Sequence, residues 1–406
     1  MRDKGMTMKK LQHIIMIALI LLGLVTPALA QEQTDDFNVS AKHAIAIEAT
    51  TGKVLYEKDA TTPDGVASMT KILTAYMVYK AVDQGKITWD TEVDISDYPF
   101  NLTVDSEVSN VPLDSRKYTV KQLLDATLIS SANSAAIALA EKISGSESAF
   151  VDTMTAQLKE WGITDAKLFN ASGLNNKYLG DNRYPGSKAD DENTMSALDV
   201  AIIADHLIKD YPQVLEITKQ TETDFEGNNK LTTHNYMLEG QDNYREGVDG
   251  LKTGTTELAG ASFVAHANEN GMSLITVVMN ADNGGEDEAA RFTATNELLD
   301  YVTQNWKIKT LNTKGQIVKK NDIKVADGDS QTISAKLESD LTVVQKINSK
   351  NDAVKIKAKT ITAPIKKDDT IGTATFDDKD LVGTGYISDP PQISVTANQS
   401  IKKSFF

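Results

Sequence analysis

Three short strings of this chain carry residues that could do chemistry together. Ser68-Met69-Thr70-Lys71 sets a hydroxyl and an amine three positions apart. Ser131-Ala132-Asn133 adds a second hydroxyl and a carboxamide, and Lys252-Thr253-Gly254 adds a second amine. A serine hydroxyl is a poor nucleophile without a base beside it. At i and i+3, Ser68 and Lys71 share one face of a helix. Burial, the positive end of a helix dipole and a second ammonium nearby each disfavour a charged lysine. Lys71 is therefore expected to be neutral enough near neutral pH to take the Ser68 proton. Ser131 could relay a proton between the lysines and a leaving amine. Asn133 could orient Lys71 and bind an amide.

Each string alone is weak. S-x-x-K recurs at Ser400-Ile401-Lys402-Lys403 and S-x-N at Ser349-Lys350-Asn351. Order and context set the first group apart. Residues 43–48 and 53–58 flank Ala49-Thr50-Thr51-Gly52 and read as a β-hairpin. From Ser68 the pattern turns helical, with Met69, Ile72, Leu73, Tyr76 and Met77 on one stripe and Gly85 as the stop. Further helices are expected at about 119–129, 134–144 and 146–161, and from a Ser196 cap with Asp199 three residues on. Residues 170–195, rich in Asn, Gly, Asp and Ser, read as a long functional loop. Strands return at 261–266 and 273–279 around Asn268-Glu269-Asn270-Gly271, and a helix from Glu288 to Trp306 follows. The S-x-x-K thus opens an apolar helix, the S-x-N sits between two helices, and the K-T-G begins a strand before a hairpin. Strands, helices, strands, helix is the order of an α+β fold: an antiparallel sheet with a helical cluster inserted between its strands.

Composition removes many alternatives. At 406 residues the chain is too long for one core. With no cysteine it has no disulfide, thiolate metal site or cysteine nucleophile. A net charge of −15 disfavours nucleic acid as a partner. The histidines beyond residue 30 are His43, His206, His234 and His266, with no H-E-x-x-H spacing. There is no P-loop, no G-x-G-x-x-G and no G-x-S-x-G. Glu286-Asp287-Glu288 reads as the acidic first turn of a helix, and neither metal nor cofactor is expected.

Lys9 and Lys10, the apolar run from Ile14 to Val25 and Ala28-Leu29-Ala30 read as a secretory leader over residues 1–30. The rest is expected to be exported, to the wall or the outer face of the cytoplasmic membrane. Residues 31–306 read as the catalytic domain. Beyond Trp306 the texture changes to short alternating β segments, a separate small all-β sandwich over 307–406. That stretch holds 17 lysines, no arginine and 12 acidic residues, a net of +5, whereas residues 31–306 carry about −23. The basic domain is expected to touch the membrane or anionic wall polymers.

The three strings together resemble the serine-type D-alanyl-D-alanine carboxypeptidases, the low-molecular-mass penicillin-binding proteins. Longer matches are Ala67-Ser68-Met69-Thr70-Lys71 through Thr74-Ala75-Tyr76, Ser172-Gly173-Leu174, and Val248-Asp249-Gly250-Leu251-Lys252-Thr253-Gly254-Thr255-Thr256. The resemblance covers about residues 37–306, and the β-rich remainder fits that family's second domain. It implies a penicillin-recognising, transpeptidase-like domain acting on a peptidoglycan pentapeptide that ends in D-Ala-D-Ala. Ser68 would be the nucleophile and Lys71 its base. Ser131, Asn133 and Lys252 would complete the proton network. The N–H groups of Ser68 and Thr255 would form the oxyanion hole within Thr253-Gly254-Thr255. The Thr253 and Thr255 hydroxyls, with Arg291, would hold the substrate carboxylate, and β-lactams would acylate Ser68 instead.

Two departures stand out. Many family members end in a basic amphipathic helix, whereas this sequence stops at Phe406, just after Lys402-Lys403. Thr255 stands where some relatives have histidine. Two competing activities share the motifs. A class A-like β-lactamase needs a deacylating glutamate in E-x-x-L-N, which is absent. A penicillin-binding sensor would acylate without turning over.

Overall fold

The computed structural model describes residues 36–404, apart from 105, 106, 320, 321 and 359. The leader expected over residues 1–30 lies outside the described residues. Strands β1 (Ala41–Glu48) and β2 (Lys53–Lys58) form the first hairpin. Strands β3 (Val248–Thr256), β4 (Gly260–Glu269) and β5 (Met272–Ala281) return some two hundred residues later. The sheet order is β2-β1-β5-β4-β3, antiparallel throughout, with β1 beside β5. The β4–β5 turn uses Asn270 and Gly271, both at positive φ, as a tight hairpin requires.

The chain between β2 and β3 is the inserted helical cluster. It contains α1 (Lys71–Asp83), α2 (Val120–Leu128), α3 (Asn133–Ser144), α4 (Glu147–Glu160) and α5 (Ala197–Asp210). Local signals set several of their ends. Ser196 and Asp199 form a reciprocal capping box on α5, as do Thr119 and Gln122 on α2. Gly145, in the left-handed region, ends α3. A last helix, α6 (Ala290–Asn305), packs with α5 against the sheet. Strand β1 is accordingly buried at almost every position instead of alternating.

From Trp306 the chain is all β. It forms a ribbon (Trp306–Asn312 with Leu341–Lys346), a three-stranded sheet and a four-stranded sheet. These close on a separate core that includes Val325, Ile333, Leu337, Val343, Ile371 and Val395. The junction with the first hairpin is ordered. Lys53 Nζ lies 2.7 Å from Asp378 Oδ2, and Thr384 donates from its N–H and its hydroxyl to Glu57 Oε2, both at 2.8 Å.

Candidate active site

Ser68 does not open the α-helix. It sits in a 3₁₀ turn, Ala67–Thr70, and α1 starts at Lys71. A 3₁₀ turn stacks i and i+3 directly, so the Lys71 amine rises beneath the Ser68 hydroxyl. Lys71 Nζ lies 2.8 Å from Ser68 Oγ, and the lysine is 0% exposed while Ser68 alone in its turn reaches solvent. The remaining partners of the amine are Asn133 Oδ1 at 2.7 Å and the Ser172 carbonyl at 2.8 Å. All three are neutral acceptors. Burial first, and then the Lys252 ammonium, hold the Lys71 pKa well below the ordinary lysine value. Lys252 is also buried; desolvation, followed by the Arg291 charge, lowers its pKa to about 7.

The backbone here is strained. Ala67 (φ 44°) and Ser131 (φ 58°) occupy the left-handed region without being glycine. Two glycines let other segments close on the nucleophile turn. A Cβ on Gly173 (φ +80°) would lie 1.7 Å from the Ala67 carbonyl oxygen. A Cβ on Gly254 would lie 2.8 Å from that of Val66, so glycine is what allows the K-T-G strand to pack here. K-T-G lies in the second half of β3, not at its start, because pairing with β4 already begins at Val248.

Two clefts meet at Ser68. One, of about 320 Å³, is lined by Ser131, Thr253, Thr255, His234, Tyr236 and Arg291. The other, of about 210 Å³, is lined by Asn133, Gly173, Glu107, Tyr178, Glu192 and Thr255. Glu107 and Glu288 also line the first, so it carries both signs of charge, and its Arg291 side is the one that suits a carboxylate. Arg291 serves it less directly than the sequence suggests. Its guanidinium is 2% exposed and donates to the carbonyls of Gly254 and Ser262 at 3.0 and 3.2 Å. It also donates to Thr255 Oγ1 at 2.8 Å and pairs with Glu288. Arg291 therefore fixes the strand end and the Thr255 hydroxyl, while its charge adds to that of Lys252.

All nine site residues expected from the sequence gather here. Others lay outside that expectation. Asn133 is held by the Ser109 carbonyl, which accepts from its Nδ2 at 2.9 Å and from its backbone N–H at 3.0 Å. The Ser172 carbonyl is placed by Glu147, whose buried carboxylate accepts from Ala171 N–H at 2.9 Å and from the Tyr98 hydroxyl at 2.7 Å. Burial raises the Glu147 pKa to about 7. His234 and Tyr236 had no sequence signal, since nothing in their spacing marks a cleft wall.

The duplicate motifs have local uses. Ser400 Oγ accepts from Lys367 N–H, and Ser349 Oγ from Asn351 N–H. A second serine, Ser273, lies 2.9 Å from His266 Nε2, whose Nδ1 is 2.5 Å from Asp249. This trio cross-links β3, β4 and β5 and borders neither cleft. Among the described residues no group of three His, Cys, Asp or Glu is placed to hold a metal ion.

Comparison with known proteins points the same way. The family described as D-alanyl-D-alanine carboxypeptidase matches residues 29–283, and the penicillin-binding protein 5 C-terminal domain matches residues 306–403. The D-alanyl-D-alanine carboxypeptidase DacF of Bacillus subtilis is 30% identical over 98% of this chain and 96% of its own length. The structure of a peptidoglycan synthesis regulatory factor (PBP3) from Streptococcus pneumoniae covers 90% of this chain and 100% of its own, at 51% identity and a TM-score of 0.81. Penicillin-binding protein D2 from Listeria monocytogenes, solved in an ampicillin-bound form, covers 66% of this chain and 98% of its own, at 28% identity and a TM-score of 0.55.

Proposed function

The chain belongs to the D-alanyl-D-alanine carboxypeptidase family, and from that premise we propose which of its residues carry the reaction. The enzyme removes the terminal D-Ala from peptidoglycan stem peptides, and β-lactams bind the same site. Ser68 Oγ attacks the carbonyl of the penultimate D-Ala while its proton passes to Lys71. The N–H groups of Ser68 and Thr255 receive the oxyanion charge. The C–N bond then breaks, and the leaving D-Ala amine takes a proton through Ser131. Water attacks the resulting ester, and Ser68 is released with the shortened peptide. Lys252, Thr253 and Thr255 face the substrate carboxylate, with Arg291 bracing Thr255. Asn133 holds Lys71 and faces the peptide amide.

The observation that carries this reading is the bare amine of Lys71, 0% exposed and 2.8 Å from Ser68 Oγ with only neutral partners. Export through residues 1–30 and contact of the basic C-terminal region with an anionic surface complete the proposal. Ser68→Ala is expected to abolish both D-Ala release from a peptide ending in D-Ala-D-Ala and covalent labelling by penicillin. Continued labelling of that variant places the nucleophile elsewhere.

A further inference from the structure

The cleft at Ser68 does not end at Glu107 and Tyr178. The same two residues also line a wider groove of about 800 Å³ that runs on to the surface. Tyr98, Asn101 and Val104 form one wall, and Asp181 and Asn182 belong to the other. These walls are built, not accidental. Leu102, Ile137, Leu174 and Leu179 make a small apolar core between the short helix Asp97–Leu102, the segment that carries Leu174 and Leu179, and α3, with Tyr98 and Tyr178 packed against it. Both phenols are anchored through their hydroxyls, Tyr98 on Glu147 at 2.7 Å and Tyr178 on Glu107 at 3.4 Å. Tyrosine presents an apolar body at such a wall and keeps its polar tip satisfied. Val104 is 79% exposed, an apolar side chain set among exposed amide and carboxylate groups.

The direction of the substrate fixes what reaches this groove. Its terminal carboxylate points toward Lys252 and Arg291, so the rest of the peptide leaves past Glu107 and Tyr178. Extended chain covers about 3.4 Å per residue, so the three residues before the scissile pair span roughly 10 Å. Beyond them comes the amino sugar to which a stem peptide is attached. A sugar offers C–H faces to tyrosine and valine side chains. Its hydroxyl and acetamido groups donate and accept, which suits Asn101, Asp181 and Asn182. We propose that the groove walled by Tyr98, Asn101, Val104, Tyr178, Asp181 and Asn182 is a saccharide subsite that engages the glycan end of the substrate. The proposal rests on the reading of Ser68 as the nucleophile for a stem peptide.

Three substrates decide it: an N-acylated tripeptide ending in D-Ala-D-Ala, the free pentapeptide, and the same pentapeptide on its disaccharide. The disaccharide form is expected to show about tenfold higher kcat/KM than the free pentapeptide, carried by KM. Val104→Arg or the double change Asp181→Ala, Asn182→Ala is expected to erase that advantage, with penicillin labelling reporting that the variant is folded. Equal kcat/KM for the disaccharide and free pentapeptides overturns the proposal. An advantage that already appears between the tripeptide and the free pentapeptide, with none added by sugar, assigns the groove to peptide and also overturns it. Calorimetry on Ser68→Ala separates this from the catalytic reading. Tighter binding of the disaccharide form supports the subsite even if no substrate is turned over, and equal affinities refute it.

Discussion

Lys71, buried beneath the Ser68 hydroxyl, and Lys53, at the junction with the C-terminal β region, are both 0% exposed, yet only Lys53 has a carboxylate against it. Lys53 Nζ meets Asp378 at 2.7 Å and the Val344 carbonyl at 2.9 Å, and it lies over the Trp306 ring. Burial lowers its pKa, and Asp378 pulls the other way. At Lys71 no carboxylate opposes the desolvation, and Lys252 reinforces it. A buried ammonium with a partner can hold two segments together. A buried amine with only neutral acceptors is kept ready to take a proton. The same residue type thus serves fixation in one place and basicity in the other, and the missing counter-ion marks the difference.

The sharpest way to break this comparison is Lys71→Arg. Arginine keeps a cation near Ser68 but cannot be deprotonated in a protein. Acylation by penicillin is expected to fall by about 10²–10⁴-fold, the usual range for a lost general base. A variant that acylates within a few-fold of wild type would leave Lys71 as an electrostatic group and return the base role to another residue.

What the sequence made legible here has a physical pattern. Ser68 and Lys71 lie within one turn, so their spacing already encodes their contact. The capping box at Ser196 and Asp199 is local in the same way, and the spacing of its two residues is enough to announce it. Apolar stripes placed α1 and α4, and alternation with turn residues placed the hairpins. The unread part is non-local. Glu147 looks like an ordinary acid in the first turn of α4, but its carboxylate reaches Ala171 on the loop that presents the Ser172 carbonyl. Lys53 reads as an unremarkable strand lysine, because its partner Asp378 lies in the other domain. Arg291 was expected against substrate, yet it is largely occupied with backbone carbonyls that no periodicity announces.

The second test acts on the junction. Lys53→Ala leaves Asp378 buried at 6% side-chain exposure, with the Tyr386 hydroxyl and the Asp380 N–H beside it but without the Lys53 ammonium. Breaking one side of such a pair costs about 3–5 kcal/mol. The denaturant midpoint is expected to fall accordingly, while folded protein still labels with penicillin. The double change Lys53→Met, Asp378→Leu should recover most of the loss, since apolar replacements of similar volume remove both charges together. A single variant that loses less than about 1 kcal/mol would mean that the pair does not hold the junction. The strap from Thr384 to Glu57 also implies that a chain cut near Trp306 loses ordered contacts, so weaker turnover in that fragment would not by itself place chemistry in the β region.

The smallest expected effect is a displacement along the pH axis, and it separates the two causes acting on Lys71. Acylation needs the neutral amine, so its rate rises with pH through the Lys71 titration. The Lys252 ammonium repels a proton on Lys71 and holds that rising limb at lower pH. Lys252→Gln removes the repulsion and leaves the desolvation. The Lys71 pKa should then rise, and the limb should move to higher pH by roughly one unit, the size expected for a close charge. Lys252 itself titrates near a pKa of about 7, so above that value wild type has already lost the repelling charge. The two profiles should therefore differ most below pH 7 and converge above it. Stability gives a matching sign. Between the lowered folded pKa of Lys71 and its unfolded value near 10.4, the unfolded chain binds the extra proton, so stability climbs with pH, and Lys71→Met should flatten that climb. A rising limb that stays in place in Lys252→Gln would leave burial as the sole cause of the Lys71 shift.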